Sequence, residues 1–156
     1  MRTSGGLIPG FKATAPIDTF EVELSTNDAH TTSYDTIDFD TIVRDTGGWF
    51  DTTNHRWTPT HTGLYLHTVQ VRFDANELPY YTFYDVTGAA VLLNIQTIST
   101  STTYGECQTY MWSWQHWCKG GNAYDIRLYT RSASTVLADD DTRLFVTGPF
   151  VTGEDV

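Results

Sequence analysis

Residues 63–73, GLYLHTVQVRF, do most to constrain what this chain can fold into. Tyr65, His67, Val69, Val71 and Phe73 fall on one side of an extended chain. Leu64, Leu66, Thr68, Gln70 and Arg72 fall on the other, which turns polar toward its end. A period of two over this length predicts a strand of about ten residues with its apolar side on a core. On the approach to it, Asp45-Thr46-Gly47-Gly48 and Asp51-Thr52-Thr53-Asn54 are turn clusters bracketing a short aromatic segment, and Pro59 and Gly63 punctuate the entry. Short strands with frequent turns predict an all-β sandwich or barrel.

Composition agrees. The chain has 156 residues, 40% of them hydrophobic and 14% aromatic, which suits one domain with a sizeable core. Its 27 threonines favour strands, and no stretch combines helix formers with a 3.6-residue apolar period. The net charge of −10 repels phosphate backbones, and no basic cluster offsets it, so no nucleic-acid partner is expected. No apolar run reaches the length of a membrane span, so no membrane partner is expected either.

The order of residues around the long strand carries a more specific signal. Phe39, Asp45, Phe50, Trp57, Gly63 and Tyr65 fall at offsets of six, five, seven, six and two. This resembles the signature of the complement C1q-like domain of the C1q/tumour necrosis factor superfamily. Trp57 stands where that family has Phe, and His67 and Val69 stand where it has two further aromatics. Asn122 stands for the Asp of a Gly-Asp turn that precedes an alternating strand, and Gly148-Pro149-Phe150 resembles the closing Gly-Phe strand with Pro149 inserted. The resemblance implies a jelly-roll β-sandwich that assembles as a homotrimer. It does not say what the trimer binds.

The chain divides into an arm, residues 1–16, a jelly-roll domain, residues 17–151, and a short acidic tail, residues 152–156. Strands are expected within 20–24, 38–44, 80–98, 104–117, 124–129 and 144–151, with a turn at 85–88. A proline in the last of these argues for an edge strand or a strand end. The arm carries no secretory signal pattern and no collagen-like repeat. Its apolar residues Leu7, Ile8 and Phe11 are unusual for a solvated tail.

Candidate chemistry is sparse. Gly-x-Ser-x-Gly, His-Glu-x-x-His and phosphate-binding glycine loops are all missing from the sequence, so no catalytic role is expected. His55, His61 and His67 recur every six residues, a spacing without metal meaning, and His67 falls on the core side. Cys107 and Cys118 have no second pair to complete a zinc site and read as two buried thiols. No cofactor is expected. The carboxylates Asp139, Asp140 and Asp141 are the one calcium candidate, because loops of some C1q-like trimers hold that ion. They lack the spaced pattern of a dedicated calcium loop and also read as a solvated acidic turn.

Tyr110, Trp112, Trp114 and His116 alternate, so they share a face. That face reads as the trimer interface or, alternatively, as a sugar platform, with Trp117 then turned to the core. Tyr80, Tyr81, Phe83 and Tyr84 form a second aromatic cluster, for the core or another interface.

The resulting expectation is a non-enzymatic structural protein of a bacteriophage virion. Made in the host cytoplasm, it would act at the virion surface as a capsid decoration (cement) trimer, its arm docked on the major capsid protein or another virion protein. The alternative is a head or tail fibre tip that recognises host surface glycans.

Overall fold

The computed structural model describes residues 16–74, 79–96, 108–138 and 142–152. Thirteen strands and no helix are formed among them. They are β1 (Asp18–Glu23), β2 (Asp28–His30), β3 (Asp35–Thr36), β4 (Thr41–Asp45), β5 (Phe50–Asp51), β6 (Arg56–Trp57) and β7 (Gly63–Phe73). After these come β8 (Tyr80–Asp85), β9 (Ala90–Gln96), β10 (Gln108–Cys118), β11 (Tyr124–Tyr129), β12 (Ser134–Val136) and β13 (Arg143–Thr152).

All pairings are antiparallel. In the first sheet β7 is the spine. It pairs along its whole length with β10, on its other ladder with β13, and at Phe73 with β12. The order continues from β13 to β1 and β4, and from β12 to β2. The second sheet runs β5-β6-β11-β8-β9, with β3 added to β11. Two antiparallel sheets that bury their facing sides against each other form the expected all-β jelly-roll sandwich.

The alternation read in residues 63–73 is the burial pattern of β7, where every odd-numbered residue is buried. Tyr65, His67, Val69, Val71 and Phe73 all show 0% exposure. Phe20, Val22, Leu144 and Val146 continue the inner face of this sheet, and Tyr81, Phe83, Tyr124, Ile126 and Leu128 supply the facing one. Trp57, from a strand of only two residues, is the hub. Its ring lies 5.3–5.6 Å from those of Phe20, Tyr65, His67 and Tyr124.

The other residues of the spaced motif have distinct tasks. Phe39 and Phe50 are buried in the core, Phe50 opposite Trp57 across the β5–β6 pair. Asp45 ends β4 and accepts a hydrogen bond from the Phe50 amide at 2.9 Å, which fixes the turn into β5. Gly63 leaves room for β13, since a Cβ there would lie 2.4 Å from the Val151 carbonyl oxygen and 2.5 Å from Pro149 Cβ.

One expectation is corrected. Pro149 is not at the end of its strand. It lies inside β13, one residue past Gly148, the last to pair with β1, and in the stretch where the register to β7 shifts between Thr147 and Val151. A bulge is the other place a sheet tolerates proline, because the extra residues there give up their ladder bonds anyway. The arm residues Leu7, Ile8 and Phe11, the triplet Asp139, Asp140 and Asp141, and Cys107 lie outside the described residues.

Candidate functional site

Among the described residues β9 and β10 are the last strands of their sheets, and Trp112 and Trp114 of β10 stand with Leu93 and Ile95 of β9. Tyr110, Trp112, Trp114 and His116 share a face, as their spacing requires, and it is the inner face. Each is half-buried, so together they close the sandwich without being sealed by it. Trp112 lies against Tyr81 with centroids 3.6 Å apart. Trp114 stacks on His67 at 5.0 Å and touches Phe83 at 5.6 Å. His116 meets the edge of Phe83 at 5.4 Å, and Tyr110 meets Phe73 at 6.1 Å. Leu93 and Ile95 of β9 pack on the same cluster and are also half-buried.

The opposite face of β10 points outward. Met111 is 66% exposed and Trp117 is 44% exposed. Trp117 therefore does not serve the core, a correction that follows from strand parity: Cys118, its neighbour, takes the inward position and is fully buried. Across the same outer face stand Leu64 and Leu66 of β7 and Phe145 and Val151 of β13, each half-buried and set among Thr68, Gln70 and Thr147. This row combines aromatic and aliphatic area with neutral polar side chains.

Electrostatics in the cluster favour neutral groups. Burial, and after it the neighbouring His116, pulls the His67 pKa down to about 3, so the ring is uncharged at neutral pH. Burial also lowers His116, against an opposing pull from Asp85. The Cys118 thiol, 3.9 Å from His67 Nε2, is pushed up by burial first and Asp85 second, and Tyr81 is pushed well up by burial. A thiol held protonated beside an imidazole of lowered basicity is the reverse of an activated nucleophile and base. Cys118 is a free, buried thiol, the state expected for it. No group of three or more His, Cys, Asp or Glu side chains able to hold a metal occurs among the described residues.

The second aromatic cluster resolves by parity. Tyr81 and Phe83 point into the core, while Tyr80 and Tyr84 stand on the outer face of the second sheet. There Tyr34 and Tyr129 join Tyr80, with centroids 5.3 Å (Tyr34–Tyr129) and 5.7 Å (Tyr80–Tyr129) apart. Arg127 lies flat over Tyr84 at 3.5 Å and donates two hydrogen bonds to buried Asp125, at 2.9 and 3.1 Å. Sequence reading did not single out this surface. Its residues come from three separate strand and loop segments, and only the alternation of YDIRLY hinted that Asp125, Arg127 and Tyr129 share a side.

No protein-family pattern matches the chain, and neither does any curated protein. Several solved structures share its fold. Eiger TNF from S. frugiperda superposes with a TM-score of 0.65 over 90% of this chain and 93% of that one, at 17% identity. The globular domain of zebrafish complement 1qA gives 0.59 over 87% and 99%, at 10% identity. Murine APRIL at pH 8.0 gives 0.61 over 84% and 98%, at 12% identity. Identities this low speak for the fold alone. The chain is an all-β jelly roll of the C1q/TNF-like type.

Proposed function

We propose that this protein is a non-enzymatic structural module that works as a homotrimer, and that the trimer decorates a bacteriophage capsid at the virion surface. The observation that carries the trimer is the open edge. Tyr110, Trp112 and Trp114 stand half-buried between β9 and β10, with Met111 and Trp117 exposed on the outer side of the same strand. An edge of this kind fits against the outer face of β7 and β13 in the next copy. The two surfaces differ, so the contact is head-to-tail, and three such contacts close a ring. Burial of the aromatic rims would supply the driving force.

The capsid reading rests on what such a ring would be used for. A compact acidic trimer with no activated nucleophile or base in its aromatic site suits a clip more than a catalyst. The arm supplies Leu7, Ile8 and Phe11 as apolar anchors for the major capsid protein or another virion protein.

The test has two stages. Light scattering of the purified protein is expected to give the mass of three chains, unchanged by a chelator; a monomer would remove the proposal. Sedimentation with empty phage capsids is then expected to carry the full chain down at fixed stoichiometry and to leave a 17–156 truncation, still trimeric, in solution. Equal binding by both would sink the arm's role, and binding by neither would sink the capsid reading.

A further inference from the structure

The outer face of the second sheet carries a groove that the assembly reading does not use. It has a volume of about 270 Å³ and is lined by Tyr34, Thr82, Tyr84, Val91, Asn94 and Arg127. A second hollow of about 270 Å³, lined by Tyr34, Tyr80, Tyr129 and Arg131, adjoins it through Tyr34. The registers explain the arrangement. Thr82 of β8 is the cross-strand partner of both Asn94 in β9 and Arg127 in β11, so those three form one transverse row. Tyr84 and Val91 form the next row, and Tyr80 with Tyr129 the row on the other side. From Tyr80 to Tyr84 the chain advances about 13 Å at strand rise, long enough for more than one small ring.

Three features define what would fit. Aromatic faces bound the groove, and Tyr34, 47% exposed, stands between its two halves. The polar groups are of mixed kind. The Asn94 amide both donates and accepts, and the Arg127 guanidinium donates. On the floor, Thr82 is 3% exposed, and its Oγ1 is buried with no hydrogen-bond partner. A hydroxyl left in this state costs free energy that a ligand hydroxyl reaching it would recover. In the first hollow the charge is balanced: Asp125, 3% exposed, takes both Arg127 bonds. In the second, Arg131 donates to the Tyr80 hydroxyl at 3.1 Å, within a chain of net charge −10.

We infer that this groove is a binding site for a neutral saccharide of two or more sugar rings. Sugar C–H faces stack on the exposed Tyr34 ring, with Tyr84 under Arg127 walling the groove, and sugar hydroxyls, which donate and accept alike, meet Asn94, Arg127 and the orphaned Thr82. A purely apolar ligand would leave Thr82 Oγ1 unpaired, and an acidic one would approach a chain of net charge −10. The groove opens on the side of the second sheet turned away from β10's outer face. Its β9 residues, Val91 and Asn94, alternate with Leu93 and Ile95, which line the aromatic edge, and the inference does not rest on the capsid reading.

The experiment is a glycan array, with neutral and acidic oligosaccharides including bacterial surface glycans, probed with the full chain. It is followed by titration of the best binder, observed through backbone amide NMR shifts. Binding of neutral glycans is expected, with shifts at Thr82, Asn94 and Arg127. Tyr84→Ala and Tyr34→Ala are each expected to weaken it at least tenfold, and Thr82→Val several-fold, with thermal unfolding confirming that each variant is folded. Should Tyr84→Ala fail to fold, Tyr34→Ala and Asn94→Ala, both at exposed positions, carry the test. No neutral binder on the array, preference for acidic glycans, or shifts confined to β10 would overturn the assignment.

Discussion

His67 and Trp114 stack with their ring planes 6° apart and centroids 5.0 Å apart, one from the sealed face of β7 and the other from the half-buried face of β10. The contact ties the aromatic edge to the deepest part of the core. It also holds a titratable ring in a place where burial disfavours its protonated form. With burial holding its pKa at about 3 against an ordinary 6.5, His67 binds a proton in the unfolded chain well before it does so in the folded one.

Acid should therefore destabilise the protein through this residue. Between pH 6.5 and about 3 the unfolded state binds the extra proton, so stability falls as pH falls, by up to about 1.4 kcal/mol per pH unit. Above 6.5 neither state is protonated there and the contribution is flat. Urea unfolding of His67→Phe at pH 7, 5.5 and 4.5 is expected to give a shallower loss than the parent chain. Parallel pH profiles would mean that His67 is not the proton acceptor, whatever the variant does to stability at pH 7.

Gly63 is set by a close approach. An added Cβ meets the Val151 carbonyl and the Pro149 ring, both fixed in the β13 bulge, so neither yields easily. Gly63→Ala should cost about 1–3 kcal/mol, as overpacking does. The midpoint of denaturant unfolding should fall while its slope stays constant. An unchanged midpoint would show that the bulge relaxes freely.

Much of this fold was legible because alternation survives wherever a strand has one wet face. β7 and β11 were readable residue by residue, since burial follows parity in GLYLHTVQVRF and closely in YDIRLY. Five short strands were not foreseen. β5 and β6 span two residues each, too few for any period, yet they place Phe50 and Trp57 at the centre of the core. Pro149 misled because proline marks bulges as well as edges, and only the neighbouring strands tell which. The aromatic run of β10 was legible as one face. Which side faced inward was not, since Trp112 and Trp117 are equally apolar and differ only in parity. The outer-sheet groove was beyond reach, because Tyr34, Tyr84 and Arg127 meet only through pairings distant in sequence.

Arg127 and Asp125 offer a test of pairing on that sheet. Asp125 is buried, and besides Arg127 its only other side-chain donor described is Thr36, at 3.3 Å. Arg127→Met should leave the carboxylate short of partners and lower stability by about 1.5–3 kcal/mol. Adding Asp125→Asn should return part of that loss, because a neutral amide is cheaper to bury. A double-mutant cycle by thermal or urea unfolding measures the coupling. Strictly additive losses would show that the pair contributes no specific stability.

Met111 separates assembly from folding. It is the fourth residue of β10, opposite Gln70, with 66% of its surface exposed and its side chain on the outer face. Met111→Glu should leave the single chain's stability within about 0.5 kcal/mol, as surface changes usually do. In a trimer whose contact includes the outer side of β10, the same change buries three carboxylates, and the expected mass by light scattering is that of one chain. Trp114→Ala is the contrasting variant. It removes the stacking on His67 and Phe83, so it should lower both the mass and the stability, the latter by about 3–5 kcal/mol if the side chain packs as a core tryptophan does. A trimeric Met111→Glu protein would move the contact off the outer face of β10 and onto the rims of Tyr110, Trp112 and Trp114 alone.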